Sequence, residues 1–481
     1  MRSASATNHA ATPRTRSGEP ASSGPRMKGR HLVMMSLGSA IGTGLFVGSG
    51  KGVAAAGPAV LVAYVVAGLL VIAVMSMLGE MVAAHPDSGA FSVFTSRAMG
   101  PAAGFAMGWL WWATLVVVVA AEGIAAAQIL TSMWPVAPQW LLTLVFTVLL
   151  TVVNLLGVDR FGEFEFWFAL VKVVAVVAFL VLGVLMVAGL LAAPSPGVSN
   201  LVDHGGFMPR GWDGVATALL LVVFSFGGIE IVAVAAAETE DPARNVGRAV
   251  RTIVWRILVF YMGSVAVMVL ALPWDTPALS QSPFVAVLDR AGLPAAGEVM
   301  TVVIVVALLS SLSANLYGAA RMLGSLASRG MAPRAAGEPG RRGVPVVSVL
   351  ASVAFSFVCV VLTYFWGGRV LDVLLNLVGS TIIVTYALTI SSQIILRRRA
   401  DRRGEELPLR VPGHPWTSWG ALAILVGIVV LGMIVPEVRS QLLSTAAVTV
   451  GLFLVGVVWS RHTGREPLRP TDDLVSRPPQ S

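Results

Sequence analysis

Charged residues are scarce in this sequence. Only 12% of its 481 residues are Asp, Glu, Lys or Arg, whereas soluble globular proteins carry about 25%. Hydrophobic residues make up 56% of the chain. A chain with so little charge cannot cover its surface with groups that water solvates, so most of that surface must face lipid. The composition therefore predicts an all-α integral membrane protein, because helices satisfy their own backbone groups in a bilayer.

Cysteine is almost absent, and so are the residue groupings that enzymes use. The single cysteine, Cys359, lies in an apolar run and excludes a disulfide within the chain. The six histidines are scattered over predicted tails and loops without metal-ligand spacing. No nucleophile is accompanied by a base. We therefore predict no metal site, no cofactor and no enzymatic activity.

Basic residues exceed acidic ones and give a formal net charge of +8. Such a balance also occurs in nucleic-acid-binding proteins. Here, however, the lysines and arginines lie in short segments between long apolar runs, which is typical of cytoplasmic loops. We therefore exclude nucleic acid as a partner and expect the lipid bilayer instead.

Twelve long apolar runs are predicted transmembrane helices, because about 20 residues at 1.5 Å per residue cross a ~30 Å hydrocarbon core. The predicted spans are 31–53, 58–82, 104–131, 139–158, 163–190, 214–238, 253–273, 297–328, 346–366, 370–395, 417–436 and 442–460. Most of the 33 lysines and arginines fall on the side that also holds both termini. Both termini of this multi-pass cell-membrane protein are therefore predicted to be cytoplasmic.

The polar ends of the chain are predicted to be tails. Residues 1–30 lack the apolar core of a signal peptide and read as a disordered cytoplasmic tail. A transporter core of ten spans is expected over 31–395. A cytoplasmic loop and two peripheral spans are expected over 396–460, followed by a second cytoplasmic tail over 461–481.

Two of the predicted spans carry glycine and polar residues at mid-membrane positions. The first contains Ser36-Leu-Gly-Ser-Ala-Ile-Gly-Thr-Gly-Leu-Phe-Val-Gly48, and the sixth contains Phe224-Ser-Phe-Gly-Gly-Ile-Glu230. A helix can be interrupted there only where the freed backbone groups line a cavity. Because spans one and six correspond in two halves of five spans, the pair indicates an inverted-repeat transporter. The alternative is that the glycines only permit close helix packing.

A break in each span would provide a site for a small zwitterion. Peptide N–H groups at the positive end of a helix suit a carboxylate, and small residues allow it to approach. Carbonyl groups freed in the sixth span would accept an ammonium group. The residues predicted to bind in this way are Ile41, Gly42, Thr43, Gly44, Phe226, Gly227 and Gly228.

Three ionisable residues lie inside predicted spans, namely Glu122, Lys172 and Glu230. Each costs about 2.5–3.5 kcal/mol to insert, so each needs a partner or a cavity. Lys172 is predicted to be a proton carrier or a fixed charge in place of a sodium ion. Glu122 and Glu230 are candidates to bind the substrate's amine or to relay protons. The alternative is a structural salt bridge for Lys172 and a purely structural role for Glu122 and Glu230.

The predicted eighth span carries a polar stripe. Ser310, Ser313 and Tyr317 share one face, and Ser311 lies beside Asn315. Such stripes more often join helices than bind ligands. Ser313 is nevertheless retained as a candidate substrate-binding residue.

These segments resemble the amino acid permeases of the amino acid–polyamine–organocation superfamily. The resemblance runs from about Lys28 to Trp459. It is carried by the blocks already quoted, by Leu78-Gly-Glu-Met, by Gly162-Glu-Phe-Glu-Phe-Trp-Phe-Ala-Leu-Val-Lys172 and by Ala-Ala-Ala-Glu238-Thr-Glu-Asp-Pro242.

The resemblance implies a leucine-transporter-type fold, with a 5+5 inverted repeat, broken first and sixth spans and two extra helices. It also implies proton symport by alternating access. Within that pattern, Lys172 matches the proton-linked lysine and Glu122 matches a glutamate near the substrate path, and no sodium site is implied. The expected partners are therefore an amino acid, protons and the bilayer.

Three further blocks are most similar to 4-aminobutyrate (GABA) permeases. They are Gly57-Pro-Ala-Val-Leu-Val-Ala-Tyr, Asp203-His-Gly-Gly-Phe-Met-Pro and Pro273-Trp-Asp. Aromatic, histidine and proline permeases of the same family remain alternatives. A more remote alternative is a nutrient sensor that binds the amino acid without transporting it.

Overall fold

The computed structural model describes residues 41–87, 89–155, 158–191, 195–230, 242–293, 295–338, 340 and 344–463. These residues form helices and connecting turns, and no β-strand occurs among them. For this part of the chain the all-α prediction is confirmed. The predicted N-terminal tail, residues 31–40 of the first span, residues 231–238 of the sixth span and residues 464–481 of the second tail lie outside the described residues.

The helices are numbered here in chain order. They are α1 (Ser49–Ala56), α2 (Val60–Ala84), α3 (Ala90–Met99), α4 (Pro101–Met133), α5 (Gln139–Leu155), α6 (Val158–Val187), α7 (Gly211–Ser225), α8 (Pro242–Arg256), α9 (Gly263–Ala271), α10 (Pro277–Gln281), α11 (Pro283–Arg290), α12 (Ala296–Ser328), α13 (Val346–Trp366), α14 (Arg369–Arg403), α15 (Trp416–Ile434) and α16 (Pro436–His462). Wider π-helical turns, Gly44–Gly48 and Ile257–Met262, lead into α1 and α9.

Eight stretches of the described helices are long and apolar enough to cross a membrane. The first, Gly44–Ala84, bends at Gly57, whose φ of 62° belongs to the left-handed region that favours glycine. Three shorter apolar helices, Gln139–Leu155, Gly211–Ser225 and Val259–Ala271, overlap the predicted fourth, sixth and seventh spans. The chain is therefore a multi-pass membrane protein, while the count of twelve spans and the inverted repeat stay predictions.

Burial separates central helices from peripheral ones. In α4 and α12, 78% and 72% of the most apolar stretch is buried inside the protein. In α15 and α16 the corresponding values are only 28% and 17%. Apolar side chains such as Val430 and Leu454 are exposed on these last helices. Helices α4 and α12 therefore form the centre of the molecule, and α15 and α16 present apolar surface to lipid.

Helix α14 extends further than the sequence predicts. The tenth span was expected to end at residue 395, with a loop from 396, but the helix continues to Arg403 and ends where Gly404 adopts a left-handed conformation. A buried cluster stabilises the extension. Glu80 on α2 accepts hydrogen bonds from Arg397 Nη1 (2.7 Å), from Gln393 Nε2 (2.9 Å) and from the Val411 N–H (2.7 Å). The extension is therefore attached to α2 and to the loop that follows it.

Candidate functional site

Residues 41–44, called here the first break because the sequence predicts one, form a bend that becomes helical at Thr43. Ile41 and Gly42 form a bend, and the Gly42 carbonyl accepts hydrogen bonds from the N–H groups of Leu45 and Phe46, both at 3.1 Å. These bonds begin the turn Gly44–Gly48. The Thr43 N–H points instead toward a neighbouring helix. The first described helix thus begins at the predicted position, with a peptide N–H directed into the protein.

Glu122 on α4 receives that N–H group. The Thr43 N–H lies 3.1 Å from both carboxylate oxygens of Glu122, and the Thr43 hydroxyl donates to Glu122 Oε2 at 2.7 Å. Glu122 is 4% exposed and Thr43 is fully buried. Hydrogen bonds to an ionised acceptor are about twice as strong as neutral ones. Thr43, predicted to bind the carboxylate of a substrate, is thus bonded in this conformation to a carboxyl group of the protein itself.

Close packing at this point requires glycine. A Cβ atom on Gly42 would collide with Glu122 Oε1 and would lie 2.9 Å from Ser311 Oγ. A Cβ atom on Gly44 would lie 2.5 Å from the Cα of Ser225. Both contacts are shorter than real Cβ contacts, so side chains at these positions would push the break open.

The second break follows α7. The helix ends at Ser225, and residues 226–230 form a turn in which Gly228 has a φ of 95°. Ser225 Oγ donates to the Gly44 carbonyl at 2.8 Å, which joins the two breaks directly. Glu230 accepts the Gly228 N–H at 2.8 Å and the Tyr386 hydroxyl at 2.6 Å. The Glu230 side chain therefore stabilises its own turn.

Aromatic side chains surround Phe226. Its ring lies 5.7 Å from the ring of Tyr64 on α2 and 4.9 Å from the ring of Tyr261, measured between centroids. All three side chains are fully buried. Aromatic pairs at these separations contribute about 0.5–1.5 kcal/mol each beyond the area they bury. Phe226 thus holds the second break against α2 and the turn before α9.

Lys172 on α6 contacts the first break through one serine. Its Nζ donates to Ser311 Oγ on α12 at 3.1 Å, and Ser311 Oγ donates to the Ile41 carbonyl at 3.1 Å. Lys172 is fully buried. A hydrogen-bonded chain therefore joins the lysine to the backbone of the break.

A small cavity of about 20 Å³ lies between the breaks. That volume exceeds the ~10–15 Å³ that one water needs, but it is far below the ~300–1,000 Å³ of ligand pockets. The cavity is closed around Glu122 in this conformation. Its lining residues are Gly42, Gly44, Val118, Glu122, Phe224, Gly227 and Asn315.

Four of the predicted site residues, Gly42, Gly44, Glu122 and Gly227, line this cavity. Ile41 and Thr43 lie directly behind the lining. Phe226, Gly228 and Glu230 form the second break. Ser313 is placed elsewhere, because its hydroxyl accepts a hydrogen bond from Asn154 Nδ2 on α5 at 2.9 Å and does not line the cavity. Ser313 thereby joins two helices, which was the alternative reading of its stripe.

Other residues of the site were not predicted. Asn315 lines the cavity, Ser225 joins the breaks, and Tyr386 binds Glu230. The only sequence signal for them was a polar residue inside an apolar run. Within the described residues, no group of three or more His, Cys, Asp or Glu side chains is arranged to hold a metal ion.

The chain matches the model of a protein family described as amino acid permease over residues 31–466. It is 42% identical to a gamma-aminobutyric acid permease of Bacillus subtilis, over 89% of this chain and 92% of that protein. It is 44% identical to the aromatic amino acid transport protein AroP of Corynebacterium glutamicum, over 93% and 96% of the two chains. A gamma-aminobutyric acid permease of Escherichia coli is 40% identical over 92% of this chain and 96% of its own length.

Proposed function

This chain belongs to the amino acid permease family, and from that premise we propose that it imports a zwitterionic amino acid into a bacterial cell by proton symport, with 4-aminobutyrate as the first candidate. The family resemblance found in the sequence is thereby confirmed, and amino acid transport follows from it. The specific substrate, the coupling ion and the transport cycle are the proposal.

The observation that carries the proposal is the carboxylate at Thr43. Two buried donors of one residue, its N–H and its hydroxyl, bind the Glu122 carboxylate at 2.7–3.1 Å. The same donors suit the carboxylate of an amino acid, because charge-assisted hydrogen bonds and the helix end both favour an anion. The substrate would take the place of Glu122 at Thr43, and Glu122 would turn toward the substrate path.

Substrate entry requires a conformational change. The cavity of about 20 Å³ cannot hold an amino acid. Opening one break at a time would expose the cavity first to one side of the membrane and then to the other, as in alternating access. The direct bond between Ser225 Oγ and the Gly44 carbonyl would break in that motion.

Lys172 is the proposed proton-linked residue. Its ammonium group reaches the first break through Ser311, so loss or gain of its proton would change the hydrogen bonding of the Ile41 carbonyl. One proton that moves down ~100 mV releases about 2.3 kcal/mol. That energy supports roughly fifty-fold accumulation of a net-neutral substrate, since each ~1.4 kcal/mol is a factor of ten.

The relatives favour two substrate classes. The names of the Bacillus and Escherichia relatives specify gamma-aminobutyric acid, and that of the Corynebacterium relative specifies aromatic amino acids. Their identities to this chain are too close to separate the two. The sequence blocks around Gly57, Asp203 and Pro273 favour 4-aminobutyrate, while the ring cluster of Phe226, Tyr64 and Tyr261 is suited to an apolar substrate side chain.

Uptake by proteoliposomes tests the proposal. Labelled 4-aminobutyrate should accumulate when an inward proton gradient is imposed, and unlabelled 4-aminobutyrate should compete more strongly than phenylalanine, tyrosine, histidine or proline. Stronger competition by phenylalanine would assign the chain to the aromatic class. Saturable binding without counterflow would identify a sensor, and accumulation without a proton gradient would exclude proton symport.

A further inference from the structure

One side chain at the cavity uses only half of its hydrogen-bonding capacity. Asn315 on α12 is 2% exposed, and its Nδ2 donates to the Ser311 carbonyl at 2.8 Å. Its Oδ1 is buried and accepts no hydrogen bond from the part of the chain that the structure describes. Buried polar atoms are nearly always paired, so an unpaired carbonyl oxygen at a cavity calls for a donor that is absent from the protein.

The orientation of the Asn315 amide follows from its neighbours. The Ser311 carbonyl can only accept, so the nitrogen of the amide must face it. Because Nδ2 is turned back to its own helix, Oδ1 is the polar atom that Asn315 offers to the cavity. The cavity therefore presents a free acceptor on α12 as well as the Glu122 carboxylate on α4.

The position of Asn315 complements that of Thr43, whose N–H and hydroxyl would bind the substrate's carboxylate. Ser311 bonds to the Ile41 carbonyl at the first break, and Asn315 lies four residues further along α12, which corresponds to about 6 Å along the helix axis. Asn315 lines the same cavity as Gly42 and Gly44, the two neighbours of Thr43, so a zwitterion whose carboxylate is bound at Thr43 would place its ammonium group in the space that Asn315 borders. Its ammonium group carries N–H donors, which an amide oxygen accepts.

We propose that Asn315 Oδ1 accepts a hydrogen bond from the ammonium group of the transported amino acid and thereby selects substrates that carry an N–H over quaternary amines. This inference rests on the proposed function, since it assumes an amino acid in the cavity. It assigns a role in substrate specificity to Asn315. From the sequence alone, Asn315 could not be distinguished from polar residues of α12 that only join helices.

Paired ligands test the inference in purified full-length protein. The pairs are 4-aminobutyrate with 4-(trimethylammonio)butyrate, and phenylalanine with its N,N,N-trimethyl derivative. In the second member of each pair, three methyl groups replace the hydrogens on nitrogen, so its positive charge remains but it has no N–H to donate. Asn315→Leu removes the acceptor at similar size, Asn315→Ala removes it without added bulk, and Asn315→Asp keeps an acceptor oxygen.

The expected result is a loss of binding affinity that is confined to the ammonium ligand of each pair. Asn315→Leu and Asn315→Ala should weaken binding of the ammonium ligand about 10- to 100-fold, which is the usual effect of a hydrogen bond to a charged group. Binding of the trimethyl ligand should change less than about two-fold. Asn315→Asp should retain the wild-type preference. Ser356→Ala on α13 is the matched control, because it removes a buried polar atom that also lacks a hydrogen-bond partner among the described residues but does not line the cavity.

Two results would overturn the inference. The first is an equal loss for both ligands of a pair in Asn315→Ala, which would mean that Asn315 supports the helix or binds only a water. The second is a lost preference in folded Asn315→Asp. If wild-type protein binds neither 4-aminobutyrate nor phenylalanine, the proposed function fails together with the inference, whereas an unchanged preference in Asn315→Ala overturns the inference alone.

Discussion

At each of the two breaks a peptide N–H donates to a buried glutamate. The two glutamates differ in how far they lie, along the sequence, from the residue that donates. Glu122 reaches Thr43 from another helix, 79 residues away in sequence. Glu230 binds Gly228 only two residues before it, within the same turn. The first contact can be exchanged without unfolding a turn, and the second cannot. We infer that the first break is the exchangeable one and that the second is held in shape by its own side chain.

The largest expected effect lies at Lys172, the lysine that reaches the first break through Ser311. Lys172→Ala should abolish proton-driven accumulation, from roughly fifty-fold to none, while substrate exchange continues, because the variant has no group to carry the proton. Uptake and exchange in proteoliposomes measure the two separately. Lys172→Arg, which cannot release a proton, separates the two roles: restored accumulation would identify a fixed charge. Unchanged uphill uptake by Lys172→Ala would remove Lys172 from the mechanism.

Glycine substitutions compare the breaks directly. Gly42→Ala places a Cβ against Glu122 and Ser311, whereas Gly227→Ala meets Ile382 Cδ1 and the Phe224 carbonyl oxygen at 3.0 Å, a milder contact. Overpacking costs about 1–3 kcal/mol, so Gly42→Ala should weaken substrate binding roughly 10- to 100-fold and Gly227→Ala by less. Gly420→Ala, with no atom within 4 Å, is the control. Equal effects at both breaks would contradict the comparison.

Substitution of the two glutamates should change substrate affinity in opposite directions. Glu122→Gln leaves a neutral, weaker acceptor at Thr43, so a substrate carboxylate should compete better and bind up to about ten-fold more tightly. Glu230→Gln should weaken binding several-fold, because the turn loses its charged acceptor. Equilibrium binding at constant pH measures both. Weaker binding by Glu122→Gln would mean that Glu122 binds the substrate's amine instead.

The smallest expected effect is at Tyr386, whose hydroxyl supports Glu230 from α14. Tyr386→Phe should weaken substrate binding by about three- to ten-fold and lower the melting temperature, because the buried carboxylate loses a donor. Thermal unfolding and binding assays check this. Tyr64→Phe is the matched control, since the Tyr64 hydroxyl makes only a long contact of 3.5 Å with Ser225. A larger loss in Tyr64→Phe would argue against a supporting role for Tyr386.

The positions of the breaks were predictable from the sequence, and their partners were not. Glycine and polar residues inside apolar runs marked residues 41–44 and 226–230, and among the described residues a helix begins at Thr43 and another ends at Ser225; that each span continues as a helix on the other side stays a prediction. The contact between Thr43 and Glu122 depends on how α4 packs, which no local pattern specifies. Likewise, the polar stripe of α12 could not indicate that Ser313 faces Asn154 while Asn315 faces the cavity, because this depends on the rotation of the helix.

The end of the tenth span was misplaced for a related reason. Hydropathy falls at Arg397, which marks the limit of the apolar run but not the limit of the helix. Arginine and alanine favour helix, so the helix continues to Arg403 and ends at Gly404, which adopts the left-handed conformation of a C-cap. The buried cluster at Glu80 then compensates the charge of Arg397. A boundary set by hydropathy alone misses such continuation.

Because α14 has 35 residues, it is about 52 Å long, well beyond the ~30 Å apolar core of a bilayer. Its C-terminal end, which is predicted to be cytoplasmic, is therefore rigidly connected to Tyr386, whose hydroxyl binds Glu230 of the second break. A tilt of about 5° around Ser380 would displace Arg403 by roughly 3 Å, since some 35 Å of helix separate the two residues. A small tilt of α14 within the membrane would therefore give a larger displacement at the aqueous surface. Because the Glu80 cluster joins α14 to α2 and to the loop before α15, the same tilt would move both.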